Sequence, residues 1–168
     1  MNRKLRSLVV SGVIAFGCSA VLRAAETYHW SDTVDDKWST PGNWQEGAAP
    51  TATDVIVEVN CTKGTLDLNT ADGATLSLWC LKFTGTKRTH VIGSPLKVTA
   101  WNWGGDGNEA LWNSGSGSVS IDVPVSFSSK GYTYMRTDGT LDFLKPVTIS
   151  SGSVLNFRTA ADARPIRF

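Results

Sequence analysis

The chain has 168 residues, of which 41% are hydrophobic and 18% charged, and its formal net charge is +1. That is material for one ordinary domain. The charge balance excludes a strongly basic nucleic-acid binder, and the hydrophobic share excludes wholesale disorder.

The amino terminus reads as an address. Arg3, Lys4 and Arg6 form a positive cluster, an apolar stretch runs from Leu8 to Val21, and Ala24 and Ala25 precede Glu26. This order predicts a helical secretory signal peptide over residues 1–25, cut near Ala24 or Ala25. The apolar run of 14 residues is short for a membrane span, which needs about 20. Cys18 sits late in the run, but Ala15-Phe16-Gly17 is a poor lipoprotein signal, so lipidation is not expected there. Removing the signal leaves 12 basic against 15 acidic residues, a net charge of −3. A mildly acidic exported domain has no electrostatic reason to hold nucleic acid or an anionic membrane. The expected location is secreted or cell-surface, with no transmembrane span after cleavage.

Residues 26–54 are rich in Trp and broken by Gly42, Gly47 and Pro50, so they read as a looped cap or an irregular first coil. Trp30, Trp38 and Trp44 each bury on the order of 150–250 Å² and are expected to cover the end of a stack of strands. A sugar-stacking platform is the alternative. The spaced set Trp30, Trp38, Asn43-Trp44, Gly47, Pro50 and Asp54 before Val55-Ile56-Val57 resembles the opening of bacterial exported proteins with autotransporter-associated β-strand repeats. That resemblance implies a secreted or surface-exposed right-handed β-helix, often in much larger proteins. It implies no catalytic residue.

From residue 55 to 168, short apolar stretches alternate with Gly, Asn, Asp, Ser and Pro. Val55, Val57 and Val59 alternate with Ile56 and Glu58. Trp79, Leu81 and Phe83 fall on one face, with Leu76, Leu78 and Cys80 on the other. Val119, Ile121, Val123, Val125 and Phe127 alternate with Ser118, Ser120, Asp122, Pro124 and Ser126. Period two over such lengths predicts strands with one buried and one wet face. A short repeat recurs in Ile92 to Val98, Ile121 to Phe127 and Phe143 to Ile149: an apolar residue, then Pro at the fourth position and apolar residues at the fifth and seventh. Its copies are 29 and 22 residues apart. Pro cannot donate to a ladder and belongs at a corner, and repeats of about 20–50 residues signal solenoids. The expected fold is all-β, a short right-handed parallel β-helix of four or five coils of about 22 residues; a β-sandwich is the alternative. A solenoid normally carries a cap at both ends. Nothing after Ile149 reads as one, so the length is expected to be the beginning of a larger β-helix or a remnant.

Candidate chemistry is sparse. Trp101, Trp103 and Trp112 are the candidate carbohydrate-binding residues, since Trp101 and Trp103 share a strand face; packing on the coil is the plainer expectation. Gly104 to Trp112 nearly matches a calcium nonapeptide, but a single copy cannot share an ion between turns. Asp67 to Gly73 has acids in the wrong places for an EF-hand, with Leu78 at its twelfth position. Cys61 and Cys80 are a candidate disulfide, closing a loop of about 19 residues at roughly 3 kcal/mol; two buried free thiols in neighbouring strands are the alternative. No zinc spacing occurs. His29 and His90 are the only histidines, and no nucleophile elbow, metalloprotease helix or phosphate loop is present. The sequence therefore predicts an exported, non-catalytic β-helix with a structural or adhesive role at the cell surface. It needs no cofactor or metal, and its expected partners are extracellular glycans or other surface components. A carbohydrate-binding module and a fragment of a polysaccharide-degrading β-helix enzyme are the alternatives.

Overall fold

The computed structural model describes residues 25–99, 101–102, 108–128, 131–159 and 166–168. An opening strand, β1 (Glu26–Ser31), precedes a loop that folds over the stack. Coil one is β2 (Val55–Asn60), β3 (Thr65–Leu68) and β4 (Leu76–Leu78). Coil two is β5 (Cys80–Phe83), β6 (Thr89–Gly93) and β7 (Leu96–Val98). A two-residue strand, β8 (Trp101–Asn102), interrupts the path before coil three, which is β9 (Asn108–Asn113), β10 (Ser118–Ile121) and β11 (Val125–Phe127). Coil four is β12 (Gly131–Thr137), β13 (Thr140–Phe143) and β14 (Val147–Ile149). The chain then starts a fifth turn with β15 (Ser153–Thr159) and β16 (Ile166–Arg167).

These strands stack into three sheets, one per side of the coil. The first runs β1-β2-β5-β9-β12-β15, the second β16-β13-β10-β6-β3 and the third β14-β11-β7-β4. Neighbours from successive coils are parallel throughout. Among the described strands β8 alone is antiparallel, against β9. The fold is thus an all-β solenoid of about five turns. Two parallel neighbours need a long connection between them, and here each connection is the other two sides of the coil.

Register explains the period-two pattern. One inward ladder of the first sheet passes through Val57, Leu81, Leu111, Met135 and Phe157. The second sheet contributes Leu66, Val91, Ile121 and Phe143, the third Leu78, Val98, Phe127 and Ile149. Each fully buried member contributes about 1.5–3 kcal/mol, and together they form one continuous core. Pro95, Pro124 and Pro146 stand just before β7, β11 and β14. Their carbonyls accept from Leu76, Leu96 and Val125 of the coil before, so the Pro stack links coils although it has no N–H to give.

Three details differ from the sequence expectation. The run from Val119 to Phe127 is two strands in different sheets, because a three-residue corner preserves inward parity and keeps Val123 buried. Leu76 to Phe83 likewise turns a corner at Trp79, so Leu78 and Leu81 both point inward and are not on opposite faces. In the first copy of the repeat, Val91, not Ile92, is the inward residue; an extra corner residue is absorbed at Gly93, whose φ of +97° suits glycine. Coil length also varies. The inward residues Leu81 and Leu111 are 30 apart and Met135 and Phe157 are 22 apart, the longer coil carrying β8.

The candidate disulfide is corrected. Cys61 and Cys80 are both free and buried. Ile56 pairs with Cys80 and Val59 with Phe83, which sets Cys61 level with Gly85, five positions along the sheet from Cys80. At about 3.3 Å per residue that is about 16 Å, far beyond the reach of an S–S bond.

Candidate functional site

The cap is held by a dense set of aromatic contacts and hydrogen bonds. Trp30 is 1% exposed, Trp38 and Trp44 each 4%. Trp38 and Trp44 meet edge-on with ring centres 4.6 Å apart, and Tyr28 meets Trp44 at 6.3 Å. Two of the indole N–H groups have partners: Trp44 Nε1 donates to the Trp38 carbonyl at 2.7 Å, and Trp30 Nε1 to the Lys37 carbonyl at 3.4 Å. The cap also occupies strand edges. β1 pairs along β2, while Trp38 N–H donates to the Asp67 carbonyl and Asp67 N–H to the Asp36 carbonyl.

The loop is held in shape from inside by Asn43. Its Oδ1 accepts from the Val34 and Asp35 N–H groups at 2.9 and 3.3 Å. Its Nδ2 donates to the Asp35 and Lys37 carbonyls and to Asp35 Oδ1. Lys37 N–H, foremost, with the Thr40 hydroxyl and Asn43, holds the Asp35 carboxyl below its usual range. Asp32 ties the loop to the corner after β2. Burial works against its charge, but the Lys63 N–H, the Thr62 hydroxyl and the Thr62 N–H outweigh it and keep the carboxyl ionised below the ordinary range. Glu46 accepts from His29 Nδ1 at 2.8 Å and from the His29 N–H. Burial opposes this carboxylate too, and His29 overcomes it. Where the loop passes the outer face of the first sheet lies a cleft of about 370 Å³, lined among others by Gln45, Glu58, Asn60 and Thr84.

The outer face of that sheet carries a row in register: His29, Glu58, Lys82, Trp112, Arg136 and Arg158. Lys82 Nζ donates to Glu58 at 2.7 Å. Lys82 and Arg136 each lie 4.7 Å from the Trp112 ring centre. Since β5 and β12 flank β9, the two cations approach the ring from opposite sides, a pair of cation–π contacts. Trp101 belongs to β8, and its side chain, like Trp103 and most of the calcium-like segment, lies outside the described residues. The geometry available for the predicted platform is therefore that of Trp112 alone, and its ring is sandwiched.

Elsewhere on the surface, the Asp122 carboxylate lies 3.5 Å from His90 Nε2 and 3.4 Å from Lys145 Nζ. Arg167 grips Asp142 with two bonds of 2.5 and 2.9 Å. The Cys80 thiol is pushed up to about 12 by burial, with the Glu109 carboxylate adding to it, so it stays protonated and inert. Among the described residues no three His, Cys, Asp or Glu side chains group as metal ligands, and no helix is long and apolar enough to cross a membrane. Sequence reasoning missed Asp32 and the interior role of Asn43. The only available signal was an Asn placed between Gly42 and Trp44, where a side-chain amide can replace missing backbone partners. Comparison with protein-family models, with curated proteins and with solved structures finds no match to this chain.

Proposed function

We propose that the chain is an exported, non-catalytic β-solenoid with a structural or adhesive role at the cell surface. The observation that carries this reading is where the polar side chains of the cap go. Asp32, Asp35, Asn43 and Glu46 all bind backbone N–H groups of the chain itself, so three carboxylates that could serve as acids or bases instead join Asn43 in holding a loop over the stack. The described coils stack in parallel around a continuous apolar core, interrupted on one inward ladder by the buried Asn113 and Thr137, a form that sets surfaces at fixed spacings along its length. Fractionating the producing cells tests the reading: the mature chain should be found outside or be stripped from the surface by added protease. Recovery of the chain in the cytoplasm with residues 1–25 uncut would refute export. Release of sugars from any of a panel of polysaccharides would refute the non-catalytic part.

A second reading, carbohydrate binding, is favoured by the cleft beside the cap. Its volume of about 370 Å³ falls in the range of small-ligand sites, and its amides and hydroxyls suit a saccharide. Glycan-array binding lost in Asn60→Ala would support that reading, and binding lost only in Trp112→Ala would place the sugar on the sheet face.

A further inference from the structure

Of the eight asparagines, only Asn60 has Ser or Thr two places on: the chain there reads Glu58-Val59-Asn60-Cys61-Thr62. Asn-x-Ser/Thr, with x other than Pro, is the acceptor for an N-linked glycan in an exported chain. Glu58 adds the acid, two places before the asparagine, that bacterial transferases also require. A match of three residues is common by chance, so the weight rests on where the fold puts it.

Asn60 ends β2 and is the one exposed residue of that strand. Val57 and Val59 belong to the core, so the Asn60 side chain stands on the outer face of the first sheet. Its neighbours across that face are small: Ser31 pairs with it on one side, and the match of Val59 to Phe83 sets Thr84 on the other. The corner that follows leaves Thr62 and Lys63 exposed. Other asparagines are engaged. Asn43 and Asn113 are buried and donate to backbone carbonyls, and Asn69 donates to the Ser39 hydroxyl. Asn60 also lines the cleft of about 370 Å³ beside the cap, together with Gln45, Glu58 and Thr84.

We propose that Asn60 carries an N-linked oligosaccharide whose first sugar lies in that cleft. This rests on the chain being exported. A tethered sugar is present at an effective concentration in the millimolar range, so the few amides and hydroxyls of the cleft suffice to seat it. In the transfer, Asn60 Nδ2 bonds to the anomeric carbon of an oligosaccharide carried on a lipid pyrophosphate. The bond from that carbon to the pyrophosphate oxygen breaks, the lipid pyrophosphate leaves with the electron pair, and the amide gives up one proton. The cap fixes the order of events. In the folded chain the Thr62 hydroxyl donates to Asp32 at 2.7 Å, and Asp32 also takes the Thr62 and Lys63 N–H groups. A transferase needs the acceptor threonine free, so the sugar is added before Asp32 docks and the cap closes over the stack.

Mass spectrometry of the chain from the exported fraction of the producing cells tests this. Trypsin should release residues 38–63 as one peptide, heavier by an oligosaccharide that fragmentation places on Asn60. Asn60→Gln should abolish the added mass, and Glu58→Gln should lower its occupancy at least tenfold. Thr62→Ser, which keeps both the acceptor and the hydroxyl for Asp32, should retain most of it. A nuclear Overhauser contact between the first sugar and the Thr84 methyl should place the ring in the cleft. A bare Asn60 in a chain that has lost residues 1–25 overturns the proposal and leaves export standing; a bare Asn60 in a chain that keeps them overturns both. Sugar on another residue of the peptide overturns the site, and absence of the Thr84 contact overturns the seat. Unchanged occupancy in Glu58→Gln overturns the part given to Glu58.

Discussion

The first and last coils meet the same difficulty by different means. At the first, three buried Trp side chains and a loop built around Asn43 occupy the edges of two sheets, and of the loop's large apolar side chains only Val34 is left exposed. At the last, Phe157 continues the ladder that begins inside the cap, yet it is 51% exposed where Met135, one coil earlier, is 0%. The two residues share a sheet, a face and a ladder. In a solenoid, burial is conferred by the next coil and not by the residue's own position, so an end must be covered by something other than repetition.

Damage should therefore be greatest at the capped end. Trp38→Ala removes a fully packed aromatic and its edge contact with Trp44, and should cost about 4 kcal/mol in urea unfolding. A loss below about 1 kcal/mol would mean that the cap is ornamental and that the two ends do not differ. Asn43→Ala should cost about 3 kcal/mol, because the Val34 and Asp35 N–H groups and the Lys37 carbonyl lose a buried partner together. Asn43→Asp separates charge from shape: it keeps the acceptor but loses the donor to the Asp35 and Lys37 carbonyls, so it should fall short of full rescue.

Acid offers a gentler way to open the same end. The folded Asp32 carboxyl titrates below its unfolded value, which is near 3.9. Its contribution is therefore complete above about pH 4 and is lost as pH falls through the lower folded value. Asp35 and Glu46 shift in the same direction. Fluorescence of the buried cap Trp residues should red-shift on acidification before the coils unfold by far-ultraviolet circular dichroism. Asp32→Asn should cost about 1–2 kcal/mol at neutral pH and flatten the acid limb. Simultaneous loss of both signals in wild type would show that cap and rod are one cooperative unit.

What the sequence disclosed follows from which interactions are local. Inward alternation, Pro at corners and the spacing of copies are properties of single strands and turns, and Val119 to Phe127 carries all three, so the solenoid was legible. Where a strand ends is a matter of the coil beneath it. Nothing local marks Trp79 as a corner, and only the match of Val91 to Ile121 reveals that Gly93 absorbs an extra residue. The disulfide misled because a short loop says nothing of register, and register alone puts Cys61 beside Gly85. The cap's Trp residues were visible by type. Asp32 was not, since its partners lie 30 residues away at Thr62 and Lys63. Gly115 was equally silent: an added Cβ would fall 1.9 Å from the Gly85 carbonyl, a clash that exists only once the coils stack.

The smallest expected effect lies at the open end and is the sharpest comparison, because two positions on one ladder are truncated alike. Met135→Ala empties a site with coils on both sides and should cost about 3 kcal/mol, including the cavity left behind. Phe157→Ala removes a larger side chain but one with a coil on one side only. Half of its surface already meets water in the single chain, so the transfer loss is roughly halved and no closed cavity forms; about 1 kcal/mol is expected in dilute solution. The order inverts the ordinary ranking of Phe above Met. Equal costs for the two substitutions in dilute solution would show that the last coil is covered within the single chain.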